Sequence, residues 1–155
     1  MKALFIGKFQ PFHKGHKKAV DLMKKLFDEN ILVIGSPEQK GYFNIAERKE
    51  MVFRNTGIKP IEVKDIKKQD KKYCQWSKFV LKKVGKIDFI VTGNEKVKNS
   101  FSELGLPCLW LPRYDNIKGR DIRKKISLGD KSWKKLVSKE SFEIIKNSEF
   151  YNKNT

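Results

Sequence analysis

Five short apolar, β-branched runs alternate along this chain with longer segments whose apolar residues recur at helical spacing, and few folds accommodate that alternation. The runs are Ala3–Gly7, Ile31–Gly35, Pro60–Lys64, Ile87–Thr92 and Pro107–Leu111. Between the first two lies HKKAVDLMKKLFDE, where Ala19, Val20, Met23, Leu26 and Phe27 share one helical face and lysines fill the other. Further helices are expected over NIAERKEMVFRN, with Asn44 as N-cap and Glu47 closing a capping box, over Tyr73–Val84 and over Lys96–Leu104. A β-α-β-α-β-α-β-α-β order followed by a helical tail predicts an α/β fold: a doubly wound, Rossmann-like, five-stranded parallel sheet. The 155 residues suit a single domain, with YNKNT expected to fray at the end.

In such a sheet, ligands bind beyond the carboxyl ends of the strands. The turns after the strands therefore carry the search for function. The first, GKFQPFHKGH, holds both histidines of the chain, His13 and His16. Neither G-x-x-x-x-G-K-[ST] nor G-x-G-x-x-G is present, so a P-loop kinase or a nicotinamide dehydrogenase has little support. A helix opening near Gly15–His16 would present unpaired N–H groups and partial positive charge to an anion. Gly15 would permit close approach of a phosphate, and two imidazoles three apart would give one polyphosphate two donors. Two other readings stay open: a zinc site, which lacks a third nearby ligand, and two histidines that merely cap and cover a helix.

A net charge of +17 raises the question of nucleic acid. Lysines outnumber arginines 30 to 5 and spread over nearly every expected helix, whereas bidentate phosphate and base recognition favours arginine. Attraction of small anionic substrates is the milder expectation. The N-terminus fits neither a signal peptide nor a membrane span, and Cys74 and Cys108 lack a C-x-x-C partner. A cytoplasmic protein with reduced thiols and no membrane partner is expected.

Gly7-Lys8-Phe9-Gln10-Pro11-Phe12-His13-Lys14-Gly15-His16 resembles the H-x-G-H signature of the nucleotidyltransferase superfamily. Its Gln-Pro-Phe-His wording is similar to archaeal-type nicotinamide mononucleotide adenylyltransferases. Ile34-Gly35-Ser36, Ala46-Glu47-Arg48, Asp65-Ile66, Trp76 and Thr92-Gly93-Asn94 resemble further motifs of that family, in order, between about residues 2 and 148. The resemblance implies transfer of AMP from ATP to the 5′-phosphate of nicotinamide mononucleotide, giving NAD and pyrophosphate. The nucleophile is an ionised phosphate, so no general base is required.

Under that resemblance, His13, His16, Lys8 and Arg123 are the expected catalytic groups. Gly7, Phe9, Gln10, Gly15, Gly93, Asn94, Lys118 and Arg120 would bind ATP. Ser36, Lys40, Arg48, Asp65, Ile66 and Trp76 would face the acceptor. Magnesium would be held mainly by substrate phosphates, with no protein ligand set, and a homo-oligomer is implied. Trp76 is equally readable as a core residue. The family's second signature, Ser-X-Thr-X-X-Arg, departs here to IKGRDIR, with Lys118 and Arg120 in place of the two hydroxyls and Arg123 retained. The alternatives are another acceptor or donor (phosphopantetheine, flavin mononucleotide, cytidylyl transfer from CTP) or a nucleotide- or RNA-binding module without turnover.

Overall fold

The computed structural model describes residues 1–65 and 73–155, without the side chains of residues 73 and 74. Five parallel strands, β1 (Lys2–Gly7), β2 (Glu29–Gly35), β3 (Ile61–Val63), β4 (Phe89–Thr92) and β5 (Cys108–Trp110), form one sheet in the order β3-β2-β1-β4-β5. The doubly wound α/β expectation is met. Strand order reverses between β1 and β4, so the crevice of the sheet opens there.

Alternation along the strands divides the core in two. Ala3, Leu32, Ile34 and Val91 face α1 (Lys14–Leu26) and α2 (Ile45–Thr56) together with the C-terminal helices α5 (Gly119–Ser127), α6 (Lys139–Lys146) and α7 (Glu149–Lys153). Leu4, Val33, Val63 and Ile90 face α3 (Tyr73–Val84) and α4 (Glu95–Ser102). Trp133, in a 3-10 turn over Lys131–Leu136, packs on Phe142 and Tyr151 and ties the tail to the first layer. Among the described residues no helix is long and apolar enough to cross a membrane.

Strands β3, β4 and β5 are shorter than the apolar runs suggest. Helix α3 has the expected bounds, and the Asn44–Glu47 capping box forms with bonds of 2.8 and 2.9 Å. One expectation is corrected: the C-terminal residues do not fray, since Ser148 caps α7 and Asn154 Nδ2 donates to the Phe150 carbonyl. Cys108 is a free, half-buried thiol, while the Cys74 side chain lies outside the described residues.

Candidate active site

A cavity of about 840 Å³ lies over the switch point, between the turns that leave β1 and β4. Its architecture begins with an unusual helix cap. His13 is the N-cap of α1, and its Nδ1 accepts the N–H groups of Gly15 at 3.1 Å and His16 at 3.4 Å. His16 Nδ1 in turn accepts the His13 N–H at 3.1 Å. The pair thus forms a capping box from two imidazoles, where serine and glutamate are usual.

This arrangement fixes the chemistry of both rings. A nitrogen that accepts a hydrogen bond carries no proton, so each neutral ring bears its proton on Nε2. Burial, aided by the charge of Arg113, pushes the His13 pKa down to about 4. Burial, then His13, then Arg113 hold His16 well below the ordinary range. Both are therefore neutral N–H donors near pH 7, stacked with centroids 3.7 Å apart on the cavity wall. Phe9 supports them from below, edge-on to His16 at 4.8 Å.

Around the histidines, Lys8, Arg113, Lys118, Arg120 and Arg123 line the cavity, and Asp65 is the one carboxylate among its described lining residues. The cavity is strongly suited to a polyanion. Lys118, Gly119 and Arg120 begin α5, so its N-terminus also faces the space. Arg123 is anchored by donating from Nη1 to the Gln10 carbonyl at 2.7 Å, and its guanidinium lies 4.5 Å above the Tyr42 ring.

Most of the residues singled out from sequence meet here. Gly7, Lys8, Phe9, Gln10, His13, Gly15, His16, Gly93, Asn94, Lys118, Arg120 and Arg123 all line the cavity, as do Ser36, Asp65 and Trp76. Trp76 fits both of its readings, meeting Phe101 edge-on at 5.9 Å in the core while also lining the cavity. Gln10 uses its Oε1 to accept the Phe43 N–H. Asn94 caps α4, its Oδ1 accepting the N–H groups of Lys96 and Val97.

The cavity glycines have packing reasons of their own, and the expectations for Arg48 and Lys40 need correction. The space beside Gly15 is filled by the His13 ring, since an added Cβ would lie 2.9 Å from His13 Cε1. Gly93 is small because the β5 exit crosses it, with the Leu111 carbonyl 2.2 Å from where a Cβ would stand. Arg48 does not line the cavity. It is fully buried, and its guanidinium donates to four backbone carbonyls. Lys40 is exposed and also lies off the cavity. Ile66 lies outside the described residues. Sequence reasoning missed Arg113, whose signal was its position in the turn directly after the fifth strand.

An open parallel sheet whose switch point carries two neutral imidazole donors, a helix N-terminus and five cations defines a nucleotide-binding α/β protein. The sequence profile of the cytidylyltransferase-like family matches residues 4–151. The chain belongs to that family. It is 34% identical to a nicotinamide-nucleotide adenylyltransferase of Thermococcus onnurineus over 94% of this chain and 82% of that one. To the enzyme of the same name from Methanocorpusculum labreanum it is 32% identical, over 93% and 89%. The fold is shared with a bifunctional NMN adenylyltransferase/ADP ribose pyrophosphatase from Francisella tularensis, solved with AMP and a manganese ion, at a TM-score of 0.71 and 22% identity. The match covers 99% of this chain, which spans about half, 51%, of that longer one.

Proposed function

We propose that this protein transfers AMP from ATP to the 5′-phosphate of nicotinamide mononucleotide, releasing pyrophosphate and forming NAD, with residues 1–155 acting as one nucleotidyltransferase domain. The observation that carries the reading is the imidazole capping box, which leaves two Nε2–H donors at the mouth of a helix in a cation-lined cavity. The archaeal relatives named for this activity support the choice of substrates.

In this reading, an oxygen of the acceptor phosphate attacks the α-phosphorus of ATP, and the bond from that phosphorus to the β-phosphate bridging oxygen breaks. No proton has to be removed from the nucleophile. His13 and His16 donate neutral hydrogen bonds to the triphosphate. Lys8, Lys118, Arg120 and Arg123 stabilise the charge that gathers on the departing pyrophosphate. Ser36, Asp65 and Trp76 face the acceptor, and the Trp76 ring offers a planar surface to a cationic heterocycle.

The donor set bears on the metal. Among the described residues no three His, Cys, Asp or Glu side chains come together, and the cavity presents mainly cations. Such a site fits magnesium that arrives on phosphate oxygens and keeps its waters. When bound with the nucleotide, the ion would supply charge neutralisation to the phosphates, which Lys8, His13, His16 and Arg123 would grip. The reading extends to a cytoplasmic homo-oligomer.

Pyrophosphate release with magnesium tests the proposal, crossing ATP and CTP against nicotinamide mononucleotide, flavin mononucleotide and phosphopantetheine, with product masses determined. Release with ATP and nicotinamide mononucleotide, forming NAD, is expected. Release with a different pair only, or with none, overturns it.

A further inference from the structure

Arg48 is buried beneath the cavity floor without touching the cavity. Its Nη1 donates to the carbonyls of Lys8 at 3.1 Å and Gly35 at 3.3 Å, and its Nη2 to those of Ser36 at 3.0 Å and Pro37 at 3.1 Å. Lys8 belongs to the turn after β1, while the other three close β2 and begin the turn after it. The β1–β2 ladder ends at the pair Gly7↔Ile34. Beyond that point the sheet no longer fixes one turn against the other; the guanidinium does.

The turns so joined are under strain. Phe9 and Ser36, one adjacent to and one among the accepting carbonyls, have φ of +52° and +49°, a region that costs a non-glycine residue roughly 1–3 kcal/mol and persists only where its surroundings hold it. Among the described residues no carboxylate forms an ion pair with Arg48. A buried cation is costly; the carbonyl dipoles of two turns and the more distant charges of Glu62 and Asp65 offset part of that cost, while its Nε has no partner among the described residues. An apolar side chain would fill the space at less cost, but it would join nothing.

We propose that Arg48 is a positioning residue for adenylyl transfer: it sets the separation between the turn that binds the donor phosphates and the turn that faces the acceptor. This rests on the reaction proposed above. Lys8 and His13 lie on the first turn, with His16 in the helix that it opens, and Ser36 lies on the second, so the distance from attacking oxygen to α-phosphorus follows from the geometry that Arg48 holds. Each substrate touches mainly one turn, and each can bind when the turns drift apart. The reaction cannot proceed at that spacing, because a misplacement of about 1 Å costs on the order of 100-fold in rate.

The test compares the full chain with Arg48→Lys and Arg48→Met, each first checked for cooperative thermal unfolding. Calorimetry gives the Kd of α,β-methylene-ATP and of nicotinamide mononucleotide separately; NAD formation gives kcat. Both affinities are expected within about threefold of the parent chain, with kcat lower by about 100-fold in both variants, because lysine cannot span four carbonyls. Turnover near the parent value, rescue by lysine, or a loss confined to one substrate's affinity overturns the inference. Failure of both variants to fold assigns Arg48 to stability alone and also overturns it. Amide exchange reads the clamp without turnover: faster exchange at residues 8–12 and 35–38 over an unchanged sheet is expected, and no change in either turn rejects it. A parent chain that forms no NAD would reject the proposed function and leave this exchange test standing.

Discussion

His13 and His16 stack at 3.7 Å with their planes 21° apart, and each ring's Nδ1 accepts a backbone N–H from the other residue's position in the cap. Gly15 makes this possible, because a methyl group there would press on His13 Cε1 and Nδ1 at 2.9 and 3.0 Å. Gly15→Ala is therefore expected to displace the His13 ring and lose its cap bonds, at a cost of about 1 kcal/mol in stability. Turnover should fall further than stability, as both donors depend on the stack. Urea unfolding beside steady-state kinetics checks this; an unchanged kcat would show that the stacked geometry is not needed for the reaction.

The two imidazoles also make stability depend on pH in a definite direction. An unfolded histidine titrates near 6.5, whereas His13 in the fold does so at about 4, because burial and Arg113 oppose its charge. Between those values the unfolded chain binds more protons, so stability is complete above about pH 6.5 and declines as pH falls toward 4. His13 alone accounts for roughly 3 kcal/mol across that window at 1.36 kcal/mol per pKa unit. His16, lowered for the same reasons, adds to the slope. Urea midpoints at pH 7.5, 6 and 5 should drop in that order, and a flat series would contradict the buried neutral pair.

Donor roles at the site lead to a sharper expectation for His16→Ala. Removing its Nε2–H takes away one preorganised hydrogen bond to the triphosphate, a loss of about 100- to 1,000-fold in kcat by analogy with other preorganised donors. The same change removes the acceptor of the His13 N–H and loosens the cap. A variant that folds and retains near-native turnover would remove the histidines from the proposed mechanism.

What could be read in the sequence was local periodicity, and what could not was the fate of particular polar groups. Asn44 and Glu47 were legible as a capping box because both partners sit within one turn. The strand-helix alternation implied the sheet, and the sheet implied where His13, Lys8 and Arg123 would meet. Arg48 was assigned to the acceptor through the resemblance of Ala46-Glu47-Arg48 to a family motif; its four carbonyl partners come from two separate turns that only the fold brings together. Gly93, attributed to the nucleotide through the same resemblance, lines the cavity, but its packing reason was not legible, since the crossing Leu111 carbonyl is remote in sequence. Phe9 and Ser36 hold left-handed conformations that no residue preference announces, whereas Asp115 and Asn116 are of the types that favour that region.

That crossing carbonyl gives Gly93 a measurable signature. A Cβ 2.2 Å from the Leu111 oxygen meets backbone, which cannot swing aside as a side chain could. Gly93→Ala should force β4 and β5 apart and destabilise the fold by about 3 kcal/mol, at the upper end of overpacking effects. For a chain of this size the corresponding fall in Tm is about 6–12 °C. A melting temperature within a degree or two of the parent would mean that the β5 exit is free to move.

Lys118 opens α5 with the extended backbone of an N-cap, φ −127° and ψ 133°, yet its side chain caps nothing. Asn44, Ser138 and Ser148 each satisfy a backbone N–H at the equivalent place in their own helices. The chain thus gives up a cap at Lys118 and gains a cation at the cavity, with Arg120 adding another two residues further in. Lys118→Ser should reverse that exchange. Stability is expected to rise by about 1 kcal/mol, or about 2–4 °C in Tm, as the hydroxyl captures a free N–H of α5. The KM for ATP is expected to rise by about 3- to 10-fold at low salt, and the difference from the parent should shrink as ionic strength increases, because the lost interaction is a screened charge. A variant with a raised Tm and an unchanged KM at every salt concentration would show that Lys118 is a solvated surface charge without a part in triphosphate binding.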